Sequence, residues 1–524
     1  MGALTLKSFP FILRSWNVKN YDSIDPTDSF GQETKVYENR NKIVKIEPQF
    51  ANNVNNPWLT DKGRQFFDSM FSKNESSLKT TTSWKTVFFN FQKTFYIFDI
   101  CNFKSVNKFY YIIIFENLNV ENLSFLSSIS QTYPFIKVRR AESAKFNTDL
   151  ETEHMINNVT SGSHLVSSSL CLFIGINSRY EGSFLNLKLR QRYLKGNFKL
   201  FSIGSLLNLT FPVSFIGSNT SILKLIAGGN HTLCQAMASA SNPLLITNSE
   251  VFKNNNLQDI FSVFKTLKHV NILNKIWNGY NVLNSSLYET GLNNLNQFPA
   301  VLLKDLLSFS SIHLINVNLN NVANLKKVLE SRLIQNKSVN ALESQKLIIN
   351  QNLTSISSNF NDSNFLYLPN NLFFDSQETF MNTEGLIKRT TKLISKKNVK
   401  TDWQVLRKLA QVWSSNTSLN ISKTNTVVHY SGLTLFDFKN FIGFQFYASK
   451  TLTSINFHLI DKTQKFSIFK NFYRFKSPVV KVFDTKLKYW LDDFYTGGKD
   501  KFCQNSLTLT RCSMNYKQQI TNFF

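Results

Sequence analysis

Two apolar runs restrict how this chain of 524 residues can fold more than any other feature of its sequence. The first run covers residues 170–174 and stops at Gly175, and the second covers residues 198–203 and stops at Gly204. Strands that are buried on both faces of a parallel sheet have such continuous apolar sequences. We therefore predict two buried strands that end at these glycines.

The residues between the two runs have the spacing of an amphipathic helix. Leu185, Leu189 and Tyr193 recur every four residues with basic residues between them, and Gly196 follows at a position where helices commonly end. A polar turn at residues 177–179 links the first strand to this helix. A strand, a helix and a strand joined by short connections are the unit of parallel sheets, so the sequence predicts an α/β fold.

A second strand–helix–strand unit is predicted further along the chain. Its strands lie at residues 312–317 and 346–349, and its helix lies at residues 321–335, with apolar residues on one face and charged residues on the other. Short apolar runs predict two more strands, a central one at residues 109–115 and another at residues 243–247.

The two ends of this α/β region have their own local patterns. Residues 34–47 alternate apolar and polar side chains around an Asn-rich turn, which predicts a β-hairpin. Thr401 and Gln404 have the spacing of a capping box at the start of a helix. We divide the chain into a small β-rich domain, a Rossmann-like α/β domain, a second α/β unit and a C-terminal extension, at residues 1–72, 73–310, 311–424 and 425–524.

Composition limits the chemistry that this chain can perform. The formal net charge of +25 would suit a nucleic-acid-binding protein, but the basic residues are dispersed along the chain. The five cysteines form no C-x-x-C motif, so we predict neither a zinc site nor a cluster-binding run. His154 and His164 lack a third ligand nearby, and no apolar run reaches the length of a membrane span. We name no catalytic residue and no metal ligand.

Three short motifs lie in and after the first strand–helix–strand unit. They are Gly175-x-Asn177-x-Arg179-Tyr180-Glu181, Asn186 with Arg190 and Arg192, and Ala227-Gly228-Gly229-Asn230-His231. These motifs resemble the large peripheral-arm iron–sulphur subunit of respiratory complex I and, more narrowly, its C-terminal part, which is related to molybdopterin oxidoreductases. The resemblance implies a small N-terminal β-rich domain followed by Rossmann-like parallel-sheet domains of the molybdopterin-oxidoreductase type.

A further motif lies at residues 368–385, where Leu368-Pro369 is followed by Asn382-Thr383-Glu384-Gly385. In the molybdopterin relatives this signature adjoins the cofactor cleft and continues with an arginine. This chain has Leu386 there. Because a guanidinium would be the natural partner of a pterin phosphate, the substitution weakens any prediction of pterin binding.

The N-terminal residues Gly2, Ala3, Leu4 and Thr5 resemble the family stretch that follows the last cysteine ligand of a four-iron cluster. The resemblance implies a subunit that is split, with its cluster-binding N-terminal half on a partner chain. We accordingly predict no cofactor in this chain and iron–sulphur clusters on the partner. Gly2 to Thr5 would then lie beside the partner's cluster, where backbone amides tune its potential.

The resemblance implies a function without a catalytic site in this chain. The chain would scaffold the electron path from NADH to ubiquinone in proton-translocating complex I, together with other peripheral-arm subunits. It would lie on the matrix side of the mitochondrial inner membrane. The abundance of residues with AT-rich codons, such as 49 Phe, suggests an organellar gene. Two alternatives are a working molybdopterin oxidoreductase and a basic nucleic-acid-binding protein.

Overall fold

The computed structural model describes about half of the chain, in segments that are separated by gaps. The described residues are 9, 13–49, 58–71, 109–114, 118–132, 136–141, 163–204, 208–249, 251, 277, 279–284, 286–294, 298–302, 305, 309–317, 347–352, 365–369, 373–393, 400–417, 503 and 506–521. Among the helices of these segments, none has both the length and the hydropathy that crossing a membrane requires.

The described α-helices are short, apart from four of 12 or more residues. They are α1 Asp61–Gln65, α2 Val120–Thr132, α3 Ser163–Ser167, α4 Ser178–Glu181, α5 Ser183–Leu194, α6 Ser221–Ala227, α7 Thr232–Ser239, α8 Leu287–Asn294, α9 Asp402–Thr417 and α10 Leu507–Thr521. Two 3₁₀ helices, Ser15–Asn17 and Phe66–Phe71, accompany them.

A three-stranded antiparallel sheet forms the N-terminal part of the structure, from β1 Lys19–Ile24, β2 Glu33–Asn39 and β3 Lys42–Pro48. The predicted hairpin is therefore confirmed. Its turn places Arg40 and Asn41 at φ values of 48° and 63°, the left-handed conformation that a two-residue hairpin turn requires. Apolar side chains on one face of this sheet pack against Phe374 and Leu509 from distant parts of the chain.

The first parallel sheet contains the predicted strand–helix–strand unit. Its strands are β6 Leu170–Ile174, β7 Lys199–Ile203, β8 Ser214–Gly217, β9 Pro243–Asn248 and β10 Tyr280–Leu283, in the order β10-β9-β6-β7-β8. All neighbouring pairs are parallel. The prediction of a turn at residues 177–179 was incomplete, because Ser178 begins the one-turn helix α4. The Glu181 carboxylate accepts a hydrogen bond from the backbone N–H of Asn177, 3.1 Å away, at the start of that helix.

The second parallel sheet combines two distant parts of the chain. Its strands are β4 Phe109–Ile114, β5 Ile136–Arg140, β11 Phe309–Ile315, β12 Leu347–Asn352 and β13 Phe365–Pro369, in the order β13-β12-β11-β4-β5. The predicted strands at 109–115, 312–317 and 346–349 are confirmed, and β4 is internal as predicted. The predicted helix at 321–335 lies outside the described residues, and the predicted domain boundaries stay predictions.

Two helices cover the second sheet with apolar side chains. Leu123, Leu126 and Ile129 of α2 and Leu406 and Leu409 of α9 are fully buried against strands β4 and β5 in one core. The predicted capping box starts α9: Thr401 Oγ1 accepts from the N–H of Gln404 at 3.3 Å, and the Gln404 side chain accepts from the N–H of Thr401 at 3.2 Å. A short hairpin, β14 Thr379–Met381 and β15 Ile387–Arg389, lies between the second sheet and α9 in sequence.

Candidate functional site

The order of the second sheet places a candidate site at the ends of β4 and β11. The chain runs from β4 to β5 on one side and from β11 to β12 on the other, so the direction of winding reverses between β4 and β11. In open α/β sheets, ligands bind beyond the carboxyl ends of the strands at such a reversal. Asn119 before α2 and Asn316 after β11 follow these two ends.

A cavity of about 310 Å³ opens near this edge. Four segments surround it: the start of α2, the residues before β14, Lys392 after β15, and the first turns of α9. Its lining residues are Asn119, Glu121, Asp375, Ser376, Gln377, Glu378, Lys392, Thr401, Trp403, Gln404 and Arg407. Three carboxyls, one lysine and one arginine are among these lining residues, and Lys392 is exposed.

The pKa of the Glu378 carboxyl, which lines this cavity, is strongly shifted. Burial, and then the neighbouring carboxyls of Asp402 and Glu121, raise the pKa of Glu378 from 4.5 to about 8. Hydrogen bonds from Ser376 and Asn119 act in the opposite direction and lower the pKa. At neutral pH this carboxyl is therefore largely protonated, which makes it a hydrogen-bond donor as well as an acceptor.

Asp402, the first residue of α9, is buried beside Glu378. Burial raises the pKa of Asp402 from 3.8 to about 7, although a hydrogen bond with Asn316 at the end of β11 lowers it. Glu121 is only 3% exposed, and its Oε2 accepts a hydrogen bond from the backbone N–H of Thr379 at 3.1 Å. This cluster was not predicted from the sequence. The residues around Asp402 showed only the local pattern of a helix start. Glu121 and Glu378 lie 257 residues apart in sequence, so no local pattern connects them.

The signature at residues 382–385 joins the α/β region to the small sheet. The Asn382 side chain donates to the carbonyl of Phe30 at 3.2 Å, and Thr383 donates its N–H and its hydroxyl to the carbonyl of Ser29. Asn382 Oδ1 also accepts from the N–H groups of Glu384 and Leu386, which fixes the turn. These buried side chains are therefore occupied by contacts within the protein. Leu386 is 39% exposed at the tip of this turn.

The loop between β1 and β2, which receives these hydrogen bonds, contains two buried carboxyls. Asp25 Oδ1 accepts from the N–H and the hydroxyl of Thr27 at 2.9 and 2.7 Å. Burial, followed by the nearby charge of Asp25, raises the pKa of Asp28 to about 7, and Lys62 of α1 lowers it. Gly63 lies so close that an added Cβ would be 2.1 Å from Asp25 Oδ2.

The motif residues of the first sheet mainly stabilise their own loops. Ser178 donates its hydroxyl to Asn186 at 3.0 Å, and Arg179 donates to the carbonyl of Asn208 at 3.1 Å. Arg192 donates to the carbonyls of Ser168 and Gly196 at 2.9 and 2.7 Å and so fixes the end of α5. Gly175, at φ 63°, turns the chain away from β6.

Two predicted sites lie outside the described residues. Gly2, Ala3, Leu4 and Thr5, the predicted neighbours of a cluster, precede the first described residue. His154 of the weakly supported histidine pair is also outside. Within the described segments, no three side chains of the kinds that bind metals are arranged to hold an ion.

Comparison with protein families agrees with the fold. The chain belongs to the molybdopterin oxidoreductase family, whose model matches residues 83–412, more than half of the chain. A second family model, described as the NADH-ubiquinone oxidoreductase NDSU1/NuoG-like 4Fe-4S domain, matches residues 18–68, which contain the small sheet and α1. The predicted α/β fold of the molybdopterin-oxidoreductase type, with its small N-terminal β-rich domain, is thus confirmed.

Individual relatives extend the match. The chain is 26% identical to the NADH-ubiquinone oxidoreductase 75 kDa subunit of Reclinomonas americana over 79% of this chain and 60% of the relative. It is 23% identical to the 75 kDa subunit of Acanthamoeba castellanii, over 100% of this chain and 70% of the relative. It is 22% identical to the mitochondrial NADH-ubiquinone oxidoreductase 78 kDa subunit of Candida albicans, over 78% of this chain and 55% of the relative. The chain thus spans about 60% of the length of the Reclinomonas relative.

One prediction of the sequence analysis is wrong. We expected no cofactor in this chain and iron–sulphur clusters only on a partner, whereas the 4Fe-4S domain model matches residues 18–68 of this chain. The match points to a cluster-binding region in the chain itself. We based that prediction on the lack of a C-x-x-C motif and on the motif at Gly2 to Thr5. A family model also matches the strands and core positions of a domain, and neither observation contains that information.

The side chains of this matched stretch do not by themselves fit a four-iron cluster, which is held by thiolates. Residues 18–68 contain no cysteine and no histidine. Two thiols of the C-terminal segment lie against this stretch. Cys503 is buried in the core that includes Ile24 and Phe66, and the pKa of Cys512 is raised by burial and by the charges of Asp61 and Asp68. Among the described residues these two thiols are fewer than a cluster needs.

The cavity residues do not fit an anionic pterin cofactor either. Glu121, Asp375 and Glu378 present carboxyls to the cavity, so a phosphate placed there would lie beside more carboxyls than cationic side chains, which are Lys392 and Arg407. The arginine expected after Gly385 is Leu386, whose exposed position lies on the hairpin tip. We therefore derive no pterin chemistry for this site.

Proposed function

We propose that this chain is a subunit of mitochondrial NADH:ubiquinone oxidoreductase, complex I. In its peripheral arm it would hold in place part of the path that carries electrons from NADH to ubiquinone. One observation carries the proposal: a 4Fe-4S domain match at residues 18–68 is followed by a molybdopterin oxidoreductase match at residues 83–412. The NADH-ubiquinone oxidoreductase 75 kDa subunit of Acanthamoeba castellanii aligns with 100% of the chain and so with both parts.

The junction between the two parts supports a scaffolding role. The rate of electron transfer between redox centres depends steeply on their distance. A scaffold therefore has to hold the cluster region at a fixed position relative to the rest of the arm. Here the buried side chains of Asn382 and Thr383 bond to the loop between β1 and β2. An ion pair between Lys388 of β15 and Glu33 of β2, 3.7 Å apart, adds to this contact.

The proposal includes partners and a location. Because residues 18–68 contain no cysteine, the thiolates of a cluster at this domain would come from outside this stretch. We propose that Gly2 to Thr5 lie beside this cluster and that other peripheral-arm subunits contact the chain. We further propose a place on the matrix side of the inner membrane and an organellar gene.

Removal of the chain tests the main proposal. Mitochondria without it should lose NADH-to-ubiquinone electron transfer and the coupled proton translocation, while succinate oxidation, which bypasses complex I, continues. A tagged chain should purify with other peripheral-arm subunits. Normal NADH-to-ubiquinone electron transfer in an assembled enzyme without the chain would refute the proposal. Stoichiometric molybdenum or tungsten in the purified chain would favour the alternative, a working molybdopterin oxidoreductase.

The docking of the N-terminal residues has its own test. Gly2→Val should weaken assembly with the other peripheral-arm subunits or change the EPR spectrum of the cluster, because glycine allows a close approach of backbone to the cluster. Leu6→Val, a nearby change within the same terminus, is the control. Unchanged assembly, spectrum and potential in Gly2→Val would refute the contact and would leave the complex I assignment untouched.

A further inference from the structure

Charge is distributed unevenly over the first parallel sheet and its helices. Residues 163–249 contain one acidic residue, Glu181. They contain seven basic residues, which are Arg179, Lys188, Arg190, Arg192, Lys195, Lys199 and Lys224. Glu181 follows the carboxyl end of β6, where its carboxylate accepts the N–H of Asn177. These residues therefore supply no carboxylate at the opposite edge of the sheet, where the parallel strands begin.

Five exposed side chains lie at that opposite edge and form what we call the amino-edge surface. They are Val166 of α3, Arg190 and Leu194 of α5, Lys195 directly after α5, and Lys199 at the start of β7. Arg192 joins the elements that carry them, because its Nε donates to the carbonyl of Ser168 at 2.9 Å and its Nη1 to that of Gly196 at 2.7 Å. The N–H of Lys199 donates to the carbonyl of Ser169 at 3.1 Å. The backbone beneath this surface is thus held in a fixed shape.

The amino-edge surface combines apolar and basic side chains. Leu194 is 72% exposed and Val166 is 46% exposed. Arg190 lies one turn before Leu194 on the same side of α5, since residues four apart in a helix are neighbours. The side chains of Arg190, Lys195 and Lys199 form no hydrogen bond or ion pair within the part of the chain that the structure describes.

Stabilisation of the helix explains only part of this arrangement. Cations near the carboxyl end of a helix interact favourably with its last carbonyls, and Arg192 has this role at the end of α5. Lys199 belongs to a strand, and neither it nor Leu194 serves the helix end in this way. An exposed leucine with basic side chains around it instead has the arrangement of a protein interface, in which an apolar anchor lies inside a polar rim.

We propose that the amino-edge surface docks an acidic surface of another polypeptide. The partner buries Leu194 in an apolar pocket and pairs its carboxylates with Arg190, Lys195 and Lys199. Charge complementarity defines the chemistry of this partner, because residues 163–249 supply only cations at this edge. Three exposed cations are few for a nucleic acid, since DNA-binding proteins commonly contact about six to ten phosphates.

Zero-length cross-linking of the full-length chain in its native assembly tests the docking. A water-soluble carbodiimide joins an amine to a carboxylate through an amide bond where the two lie in contact. We expect peptide mass spectrometry to find Lys195 or Lys199 joined to an aspartate or glutamate of another polypeptide. Lys224, which is exposed on α6 of the same sheet, is the control and should not be joined to these carboxylates. Cross-links to carboxylates of this chain alone, or none at all, would overturn the inference.

This result is separable from the complex I assignment. An acidic partner that is not a complex I subunit would support the docking and would count against the proposed function. A chain that purifies with peripheral-arm subunits but shows no cross-link from Lys195 or Lys199 to another polypeptide would support the proposed function and overturn the docking.

Substitutions then measure the contact with the polypeptide that the cross-links identify. Leu194→Asp should weaken binding by at least about tenfold, because it places a carboxylate in an apolar pocket among acidic side chains. The double variant Lys195→Glu with Lys199→Glu should also bind more weakly, and its binding should no longer decrease with added salt. Leu225→Asp, at a leucine of α6 that is 49% exposed, is the matched control and should retain the affinity.

These side chains are exposed, so we expect circular dichroism to show an unchanged fold in each variant. Equal affinity of Leu194→Asp and the wild-type chain would overturn the docking. Salt-sensitive binding of single-stranded RNA that the double lysine variant abolishes would assign the surface to nucleic acid and would overturn it as well.

Discussion

Thr383 donates two hydrogen bonds to one oxygen atom, the carbonyl oxygen of Ser29, although 354 residues separate the two in sequence. The backbone N–H lies 3.0 Å from this oxygen and the hydroxyl lies 3.1 Å from it. Both residues are almost completely buried, so water does not compete for these bonds. The pair is thus a direct link between the stretch that matches a 4Fe-4S domain and the molybdopterin oxidoreductase part.

Thr383→Val should weaken this link while preserving shape. The hydroxyl bond is lost, and the valine methyl lies against a carbonyl that keeps its bond from the N–H. We expect the free energy of unfolding to fall by about 1–2 kcal/mol. Denaturant unfolding measures the change. Thr508→Val, at an exposed threonine, is the control and should change stability by less than about 0.5 kcal/mol, and an equal effect of both variants would contradict the proposed role of the bond.

Gly63→Ala should be disruptive, because the new Cβ would lie 2.1 Å from Asp25 Oδ2 and 3.0 Å from Leu59 Cδ1. The buried Asp25 carboxyl cannot move without breaking its bonds with Thr27. We expect a loss of about 1–3 kcal/mol in unfolding free energy. Gly228→Ala provides the comparison, since its Cβ would have no neighbour closer than 3.4 Å. Equal melting temperatures for the two variants would show that the region around Gly63 relaxes freely.

Asp28→Asn should remove a pH dependence of stability. The pKa of Asp28 rises from 3.8 to about 7 on folding, chiefly by burial, so the folded state binds more protons between these values. Stability contributed in this way is present at low pH and falls by about 1.4 kcal/mol per pH unit up to about pH 7. Unfolding of Asp28→Asn should lack this component. The exposed Asp22→Asn should keep it, and identical slopes in wild type and Asp28→Asn would exclude the effect.

Cysteine labelling should separate the thiols by burial. Cys171 is the second residue of β6 and has no exposed surface, and burial raises the pKa of its thiol strongly. A maleimide should therefore modify Cys512, which is partly exposed, well before Cys171 or Cys503 in the native chain. Peptide mass spectrometry identifies the site, and labelling in urea shows that all three thiols can react. Rapid native labelling of Cys171 would contradict the placement of β6.

The sequence predicted the elements whose pattern is local. The strand from Leu170 to Ile174, the hairpin around Arg40 and the capping box of Thr401 depend on neighbours within a few residues, and all three are present. The pairing of β4 with β11 and the cluster of Glu121 with Glu378 depend on residues that meet only after folding. Neither contact produces a periodic pattern in the sequence. A carboxyl that becomes buried on folding has the same appearance in the sequence as a carboxyl that stays in water.

Two neighbouring strands of the second sheet, β4 and β11, are synthesised at widely separated times on the ribosome. β4 forms a strand–helix–strand unit with β5 soon after it emerges, but its other edge pairs with β11, roughly 200 residues later. At about 5–20 residues per second, that edge waits on the order of ten to forty seconds. During this time all strands of the first sheet, from β6 to β10, are synthesised, and this sheet can fold. An apolar strand with an open edge is prone to aggregate, so we expect the nascent chain to be most prone to aggregation between the emergence of β4 and that of β11.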